Sequence, residues 1–167
     1  MKHKLFVSTT IAAGFAISLA VMPALASATP SPSAHQATVE ERSKDVMPFD
    51  LNRTMHIFEP TPSGGVQTVM VHDGDPKQIA LVRSHLRKEA AAFARGDFAD
   101  PAEIHGTNMP GLAQLRTGAG KVVVTYAPAS NGASIRFKTS DPTMIAAIHQ
   151  WFAAQVKDHG AHAMIAH

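Results

Sequence analysis

The chain has 167 residues, with 15 Lys and Arg, 13 Asp and Glu, ten His and no Cys. The lack of cysteine excludes disulfides, thiolate nucleophiles, iron–sulfur clusters and covalently attached c-type haem. The near balance of charge, without a basic stripe, argues against nucleic acid or an anionic membrane surface as a partner. The length suits one domain of ordinary size, which must be stabilised by a hydrophobic core.

The first residues have the features of a secretory signal peptide. Two lysines precede the uncharged residues 5–25, and the small residues Ala-Ser-Ala follow at 26–28. This pattern predicts cleavage before Thr29 and a periplasmic or secreted protein. A retained membrane anchor is the alternative, because the run is just long enough to span a bilayer. Cleavage removes two of the 15 basic residues and leaves 13, against 13 acidic residues, so the mature chain has no net charge.

The segment after the signal peptide differs in composition from the rest. Residues 29–46 are rich in Pro, Ser, Ala and Thr, which predicts a flexible leader with few contacts. A single α+β domain is expected over residues 47–167.

An internal repeat organises this domain. Residues 55–93 superimpose without a gap on residues 121–159, so that the Asp-Pro pairs at 75–76 and 141–142 coincide. Each copy has the pattern strand, turn, strand, helix. The Asp-Pro pair suits a helix start, since Asp caps the helix and Pro loses nothing at its first position. We therefore predict two ββα repeats that form a four-stranded, mainly antiparallel sheet with two helices on one face.

Residues 95–120 have no counterpart within either repeat and connect the first repeat helix to the third strand. Most loops in compact domains are about 4–6 residues long, so we expect this excursion to be ordered and to carry function. Its packing anchors are expected at four apolar positions, Phe98, Ile104, Leu112 and Leu115. It also holds His105 and Met109, which would point the same way in a helical turn.

The chemistry that remains after export is that of nine His and six Met. Imidazole and thioether ligands together suit copper better than magnesium or calcium, and imidazole with carboxylate would also accept zinc or nickel. The candidate metal ligands are His105, Met109, His149, His159 and His162. We expect the excursion to bring His105 within reach of His149, or of His159 and His162 in the histidine-rich tail, residues 160–167.

Each candidate also has a purely structural interpretation. His105 fits a turn histidine, Met109 a core methionine and His149 a buried imidazole, while the tail histidines fit a solvated end. His85 and Glu89 have ligand-compatible i, i+4 spacing on a helix, which a solvated ion pair explains equally well.

Two stretches, "GDFADPAEIHGTNMPGL" and "IHQWFAAQVKDHG", make the chain resemble a family of small exported proteobacterial proteins of uncharacterised role. The resemblance extends from about His56 to His162. Members are sometimes labelled aspartate carbamoyltransferase, but that enzyme class has about twice this length and a Ser-x-Arg-Thr-Arg phosphate loop that this sequence lacks. The resemblance therefore implies export and no catalytic residues.

The sequence favours binding over catalysis. It contains no Gly-x-Ser-x-Gly elbow, no phosphate-binding glycine loop and no cysteine nucleophile, so an enzyme is the least favoured class. The favoured function is an exported periplasmic binding protein for a transition metal, with copper first. One alternative is a binder of non-covalent haem or a small apolar ligand, with His105 or His149 as an axial ligand and Met109 as a candidate on the other side. Another is a homodimeric interaction module that pairs through the outer face of its sheet and binds no metal.

Overall fold

The computed structural model describes residues 33–167, which contain five α-helices and a five-stranded sheet; the predicted signal peptide, residues 1–28, lies outside them. The helices are α1 (Ala34–Val46), α2 (Pro76–Phe93), α3 (Ala99–His105), α4 (Leu112–Thr117) and α5 (Pro142–His159). The strands are β1 (Thr54–Thr61), β2 (Gly64–Val71), β3 (Val123–Ala129), β4 (Gly132–Lys138) and β5 (Ala163–Ile165). Within the described range, no helix has the length and apolar character needed to cross a membrane.

The sheet has the strand order β3-β4-β2-β1-β5. The pairs β1–β2, β2–β4 and β3–β4 are antiparallel, whereas β5 runs parallel to β1. The α+β class is confirmed, but the prediction of four strands is wrong, because the tail contributes a fifth. Ala163 pairs with His56 and Ile165 with Phe58, so the tail covers backbone groups that would otherwise form an open sheet edge.

Two strand–strand–helix units make up most of this architecture. The first is β1–β2–α2 and the second is β3–β4–α5, and they meet where β2 pairs with β4. Both helices pack on the same face of the sheet, since Phe93 of α2 and Trp151 of α5 both contact Phe137 of β4. The elements α1, α3, α4 and β5 lie outside the repeat pattern, so the fold is more elaborate than two bare repeats.

The starts of the two repeat helices follow the local signals in the sequence. Asp75 accepts hydrogen bonds from the backbone N–H groups of Lys77 and Gln78 at 2.7 and 3.2 Å. Asp141 accepts one from the N–H of Thr143 at 2.8 Å. In each helix a proline occupies the first turn, where no intrahelical partner for its nitrogen is needed.

The centre of the molecule is a group of aromatic rings, the aromatic core, which consists of Phe93, Phe98, Phe137, Trp151 and Phe152. Trp151 is fully buried, and the rings of Phe93 and Phe98 meet it edge-on with centroid distances of 5.6 and 5.5 Å. The excursion, residues 95–120, therefore packs against the aromatic core through Phe98. All four of its predicted packing anchors are buried.

The prediction of a flexible leader is wrong for residues 34–46, which form α1. Ser33 and Gln36 make a reciprocal capping box at its start. Val39 is buried, and the Gln36 side-chain amide donates to the carbonyl of Lys157 at 2.9 Å. The composition of this segment predicted flexibility because α1 is polar almost throughout. The helix packs on the domain through very few apolar side chains.

Candidate functional site

Three buried histidines from distant parts of the chain meet at one end of α5. His56 lies on the helix-facing side of β1, His105 is the last residue of α3, and His159 is the last residue of α5. The ring centroids of His56 and His159 are 5.0 Å apart, and those of His105 and His159 are 4.8 Å apart. We call these three residues the imidazole cluster.

A carboxylate orients one ring of the imidazole cluster. His105 Nδ1 lies 3.0 Å from Asp158 Oδ2. Because a carboxylate only accepts hydrogen bonds, His105 Nδ1 carries the proton and Nε2 keeps its lone pair. The other oxygen of Asp158 lies 3.1 Å from Nε2 of His35 on α1. This helix therefore helps to hold the residue that orients His105.

The other two rings lack hydrogen-bond partners. Both nitrogens of His56 and Nε2 of His159 are buried without one. Leaving a buried polar group unpaired costs about 1–3 kcal/mol, so the imidazole cluster destabilises the fold. Such sites in proteins call for an explanation by a ligand, an ion or ordered water.

Burial keeps the three imidazoles in their neutral form. It lowers the pKa of His56 to about 3, with smaller contributions from neighbouring histidines. Burial also lowers the pKa of His159 well below its usual range, and it lowers that of His105 in spite of the opposing effect of Asp158. At neutral pH the cluster therefore presents neutral nitrogen lone pairs, the form of imidazole that binds metal ions.

A cavity of about 30 Å³ adjoins the imidazole cluster. His56 and His105 line one side, and the other polar lining residues are Gln67, His85, Glu89, Asp100 and Gln155. A water needs roughly 10–15 Å³ of such space, so the cavity has room for about two. Gln67 Oε1 and Glu89 Oε1 are buried in its wall without hydrogen-bond partners.

Glu89 is the unusual acid of this cavity. Burial raises its pKa to about 8, and a hydrogen bond with Asp100 and the negative charge of Asp100 act in the same direction. Lys88 does not neutralise Glu89, since its Nζ lies 3.8 Å from Glu89 Oε1 but 2.8 Å from Asp100 Oδ2. Burial also lowers the pKa of His85 to about 4. The interpretation of His85 and Glu89 as a solvated ion pair is thus wrong, because Glu89 is buried and its carboxyl group makes no salt bridge with His85.

The structure brings together some of the predicted ligands. His105 and His159 belong to the imidazole cluster, and His162 is half-buried in the 3-10 turn that follows α5, close enough to influence the pKa values of His56 and His159. Met109 is buried, and together with His105 it lines a separate groove of about 500 Å³ beside α5.

His149 lies elsewhere. Its Nε2 is 2.9 Å from the carbonyl oxygen of Gly64 and 3.1 Å from that of Thr61, where β1 turns into β2. It ties α5 to this hairpin. The expected approach of His105 to His149 therefore does not occur, because His149 lies near the middle of α5, whereas His105 meets the end of that helix.

His56 was missed by the sequence reasoning, although a signal for it exists. At the 66-residue offset of the repeat, His56 corresponds to Val122, which packs against the core. A histidine at a position that is apolar in the other repeat is the signal that could have identified His56. The role of Asp158 has no local signal in the sequence, because its contact with His105 joins residues far apart in the chain.

The three rings are close, but their nitrogens do not converge on one point. Among residues 33–167, no group of three or more His, Cys, Asp or Glu side chains is arranged to hold a metal ion. The imidazole cluster is therefore a set of neighbouring donors rather than a finished coordination site.

No protein-family model, no curated protein and no solved structure matches this chain.

Proposed function

We propose that the protein is exported to the periplasm or secreted, and that it binds a transition-metal ion, copper before others, through the imidazole cluster. The observation that carries the proposal is the meeting of three neutral, buried imidazoles, of which His56 and His159 have nitrogens without partners. A bound ion would supply the partners that these nitrogens lack. Copper(II) is the divalent first-row ion that nitrogen ligands bind most tightly.

The spacing of the rings supports a shared ion. Two imidazoles that bind one ion at about 2.0–2.1 Å have ring centroids roughly 5 Å apart. The two centroid distances in the cluster, 4.8 and 5.0 Å, are of this size. Both distances involve His159, so this ring is the one that would share an ion with each of the other two.

The hydrogen bonding of the rings also favours a shared ion. His56 has no side-chain hydrogen bond to lose when it turns, and Nε2 of His159 has none either. His105 stays in place because Asp158 holds its Nδ1, which directs the free Nε2 as the ligand atom. A carboxylate behind a metal-binding histidine is a common arrangement in metalloproteins. His162 is the fourth ligand that we propose, since it follows the cluster by one short turn.

The two alternatives differ in what they require. The cavity beside the imidazole cluster has room for about two waters, so haem would have to bind in the groove of about 500 Å³ that His105 and Met109 line. An interaction module would use the outer face of the sheet, where Val123 and Met164 are 62% and 46% exposed. Neither alternative accounts for the unpaired nitrogens of the cluster.

Titration of the untagged protein with Cu(II) and Zn(II), followed by calorimetry and elemental analysis, tests the proposal. We expect one tightly bound ion per chain, and nitrogen hyperfine structure in the electron paramagnetic resonance spectrum of the copper form. His105→Ala should lose this ion, whereas the control His72→Ala, which changes an exposed histidine, should retain it. Equal metal content in the two variants would overturn the proposal. An oligomer without metal would favour the interaction module.

A further inference from the structure

The sheet carries a helix layer on one face. Within residues 33–167, the helices α2 and α5 make the main helix contacts with the sheet, and both pack on the face that carries Phe137. The opposite face, which we call the outer face, has no such layer. Side chains along a strand alternate between the two faces. Because Phe58 is buried beneath α5, its neighbours Ile57 and Glu59 belong to the outer face.

The register of the strands relates the two halves of the outer face. The central strand is β2, with β1 and β5 on one side and β4 and β3 on the other. In one row across the sheet, Val66 of β2 lies between Glu59 of β1 and Arg136 of β4. The acidic and the basic residue therefore lie at equal distances, about 5 Å, on either side of the central strand. Within the described part of the chain, neither of them forms a salt bridge.

Side-chain size follows the same division. Met164 of β5 and Ala127 of β3 lie two strands away from β2, in the same row but on opposite sides. In another row, Met55 of β1 and Gly132 of β4 lie on either side of Met70. Met164 is 46% exposed. Each of these large side chains thus has a small residue at the mirrored position on the other half of the outer face.

We propose that the outer face is the interface of a homodimer, in which two copies of the chain pack sheet against sheet about a twofold axis that runs along β2. This axis exchanges the two halves of the face. Glu59 of each copy then lies opposite Arg136 of the other copy, and Met164 lies opposite Ala127. The interface uses no metal ligand, so the inference does not depend on the proposed function.

The charges select the direction of the axis. A closed dimer uses the same patch on both copies. An axis that crosses the strands at the row of Glu59 would place Glu59 on Glu59 and Arg136 on Arg136, and like charges that face each other are unfavourable. An axis along β2 pairs opposite charges instead. Packed sheets lie about 10 Å apart, which lets the side chain of Met164 fill the space above Ala127.

The dimensions of the face set the expected affinity. Its four long strands have seven or eight residues each, and β5 has three. With about 4.8 Å between strands and about 3.4 Å per residue, the face measures about 20 by 25 Å. This area is at the lower end of the range for specific interfaces, so we expect a dissociation constant of roughly 10 µM.

Sedimentation analysis of the metal-free mature protein at about 1–100 µM measures this constant. Glu59→Arg and Arg136→Glu should each weaken the dimer about tenfold, because each change places like charges opposite one another. The double variant with both changes restores opposite charges with their places exchanged. It should return to within about threefold of the unaltered protein, a recovery that a merely destabilised surface would not show.

A matched control makes the same chemical change away from the sheet. Glu103→Arg alters an exposed residue of α3 and should leave the dimer unchanged. Circular dichroism and the melting temperature show whether each variant is folded. If Glu59→Arg is not folded, Thr68→Glu takes its place, since Thr68 is on β2 and the change would bring two negative charges together at the axis. That variant should be monomeric over the same concentrations.

The outcomes separate the two proposals. A monomer at every concentration, or a dimer that the charge reversals do not weaken or the double variant does not restore, overturns the inference and leaves copper binding to be judged by its own titration. A dimer that behaves as expected but takes up no copper supports the inference and overturns the proposed function.

Discussion

The aromatic core and the imidazole cluster lie side by side between the helices and the sheet, yet they differ in how many polar atoms they leave without partners. In the aromatic core, rings from α2, α5 and β4 pack with centroid distances of 5–6 Å, and the one polar ring atom, Trp151 Nε1, is buried without a hydrogen-bond partner. In the imidazole cluster the rings are equally close, but three of their nitrogens have no partner.

This difference separates stability from function. Burial of aromatic surface stabilises the fold, whereas burial of unpaired imidazole nitrogens weakens it unless a ligand compensates. Natural proteins depart from good packing mainly at functional sites. The imidazole cluster buries three unpaired nitrogens and the aromatic core one, and this concentration is the main reason to place function at the cluster. The variants below test it.

Removal of the central ring of the aromatic core should have the largest effect. Trp151→Ala should lower the free energy of unfolding by about 3–5 kcal/mol, because it deletes a fully buried indole and leaves a cavity. Denaturant unfolding measures the change. A loss below about 1 kcal/mol would show that the aromatic core is not the main stabilising region.

Loss of the carboxylate that orients His105 should weaken metal binding with little cost to the fold. Asp158→Asn should reduce copper affinity about 10–100-fold, the usual effect of removing such a partner. Calorimetric titration measures the affinity, and the melting temperature of the metal-free protein serves as the control. Unchanged affinity would mean that Asp158 does not position a ligand.

Replacement of His56 by the residue at the equivalent repeat position should change the pH dependence of stability. Because the pKa of His56 is about 3 in the fold and near 6.5 when unfolded, the unfolded chain binds the extra proton between these values, and stability falls as pH falls through this window. His56→Val removes that loss. Between pH 6 and pH 5 the unaltered metal-free protein loses about 1 kcal/mol of unfolding free energy through His56. The variant should not show this loss, so the difference in stability between the two proteins should shift by that amount in its favour. Parallel pH profiles for the two proteins would contradict the neutral, buried state of His56.

The smallest effect is expected at the histidine that the structure places outside the imidazole cluster. His149→Ala removes hydrogen bonding to the β1–β2 turn and should cost about 0.5–1.5 kcal/mol of stability. It should leave copper affinity unchanged, which calorimetry measures alongside His105→Ala. A large loss of copper affinity would instead show that His149 is a metal ligand.

Much of the fold could be predicted because its signals are local. The Asp-Pro caps, the hairpins and the helix faces depend on residues a few positions apart, and the structure has both repeat helices starting at these caps. The fifth strand and α1 escaped prediction for the opposite reason. Ala163–Ile165 is too short to show a pattern, and it pairs only because β1 offers an unpaired edge. The polar helix α1 docks through Val39 and contacts that exist only in the folded protein.

For the candidate site, the sequence by itself determined which donor types are present: many imidazoles, several thioethers and no thiols. It also identified His105 and His159 as candidates. Only the tertiary structure decided that His56 joins them, that Asp158 orients His105, and that His149 serves the hairpin instead. The tertiary structure also sets the pKa values of His56 and Glu89. They depend on burial and on side chains that other helices and strands bring close. His56 and His159 are more than 100 residues apart in the sequence. They become buried neighbours only when the helices pack on the sheet, so no local sequence pattern predicts their contact.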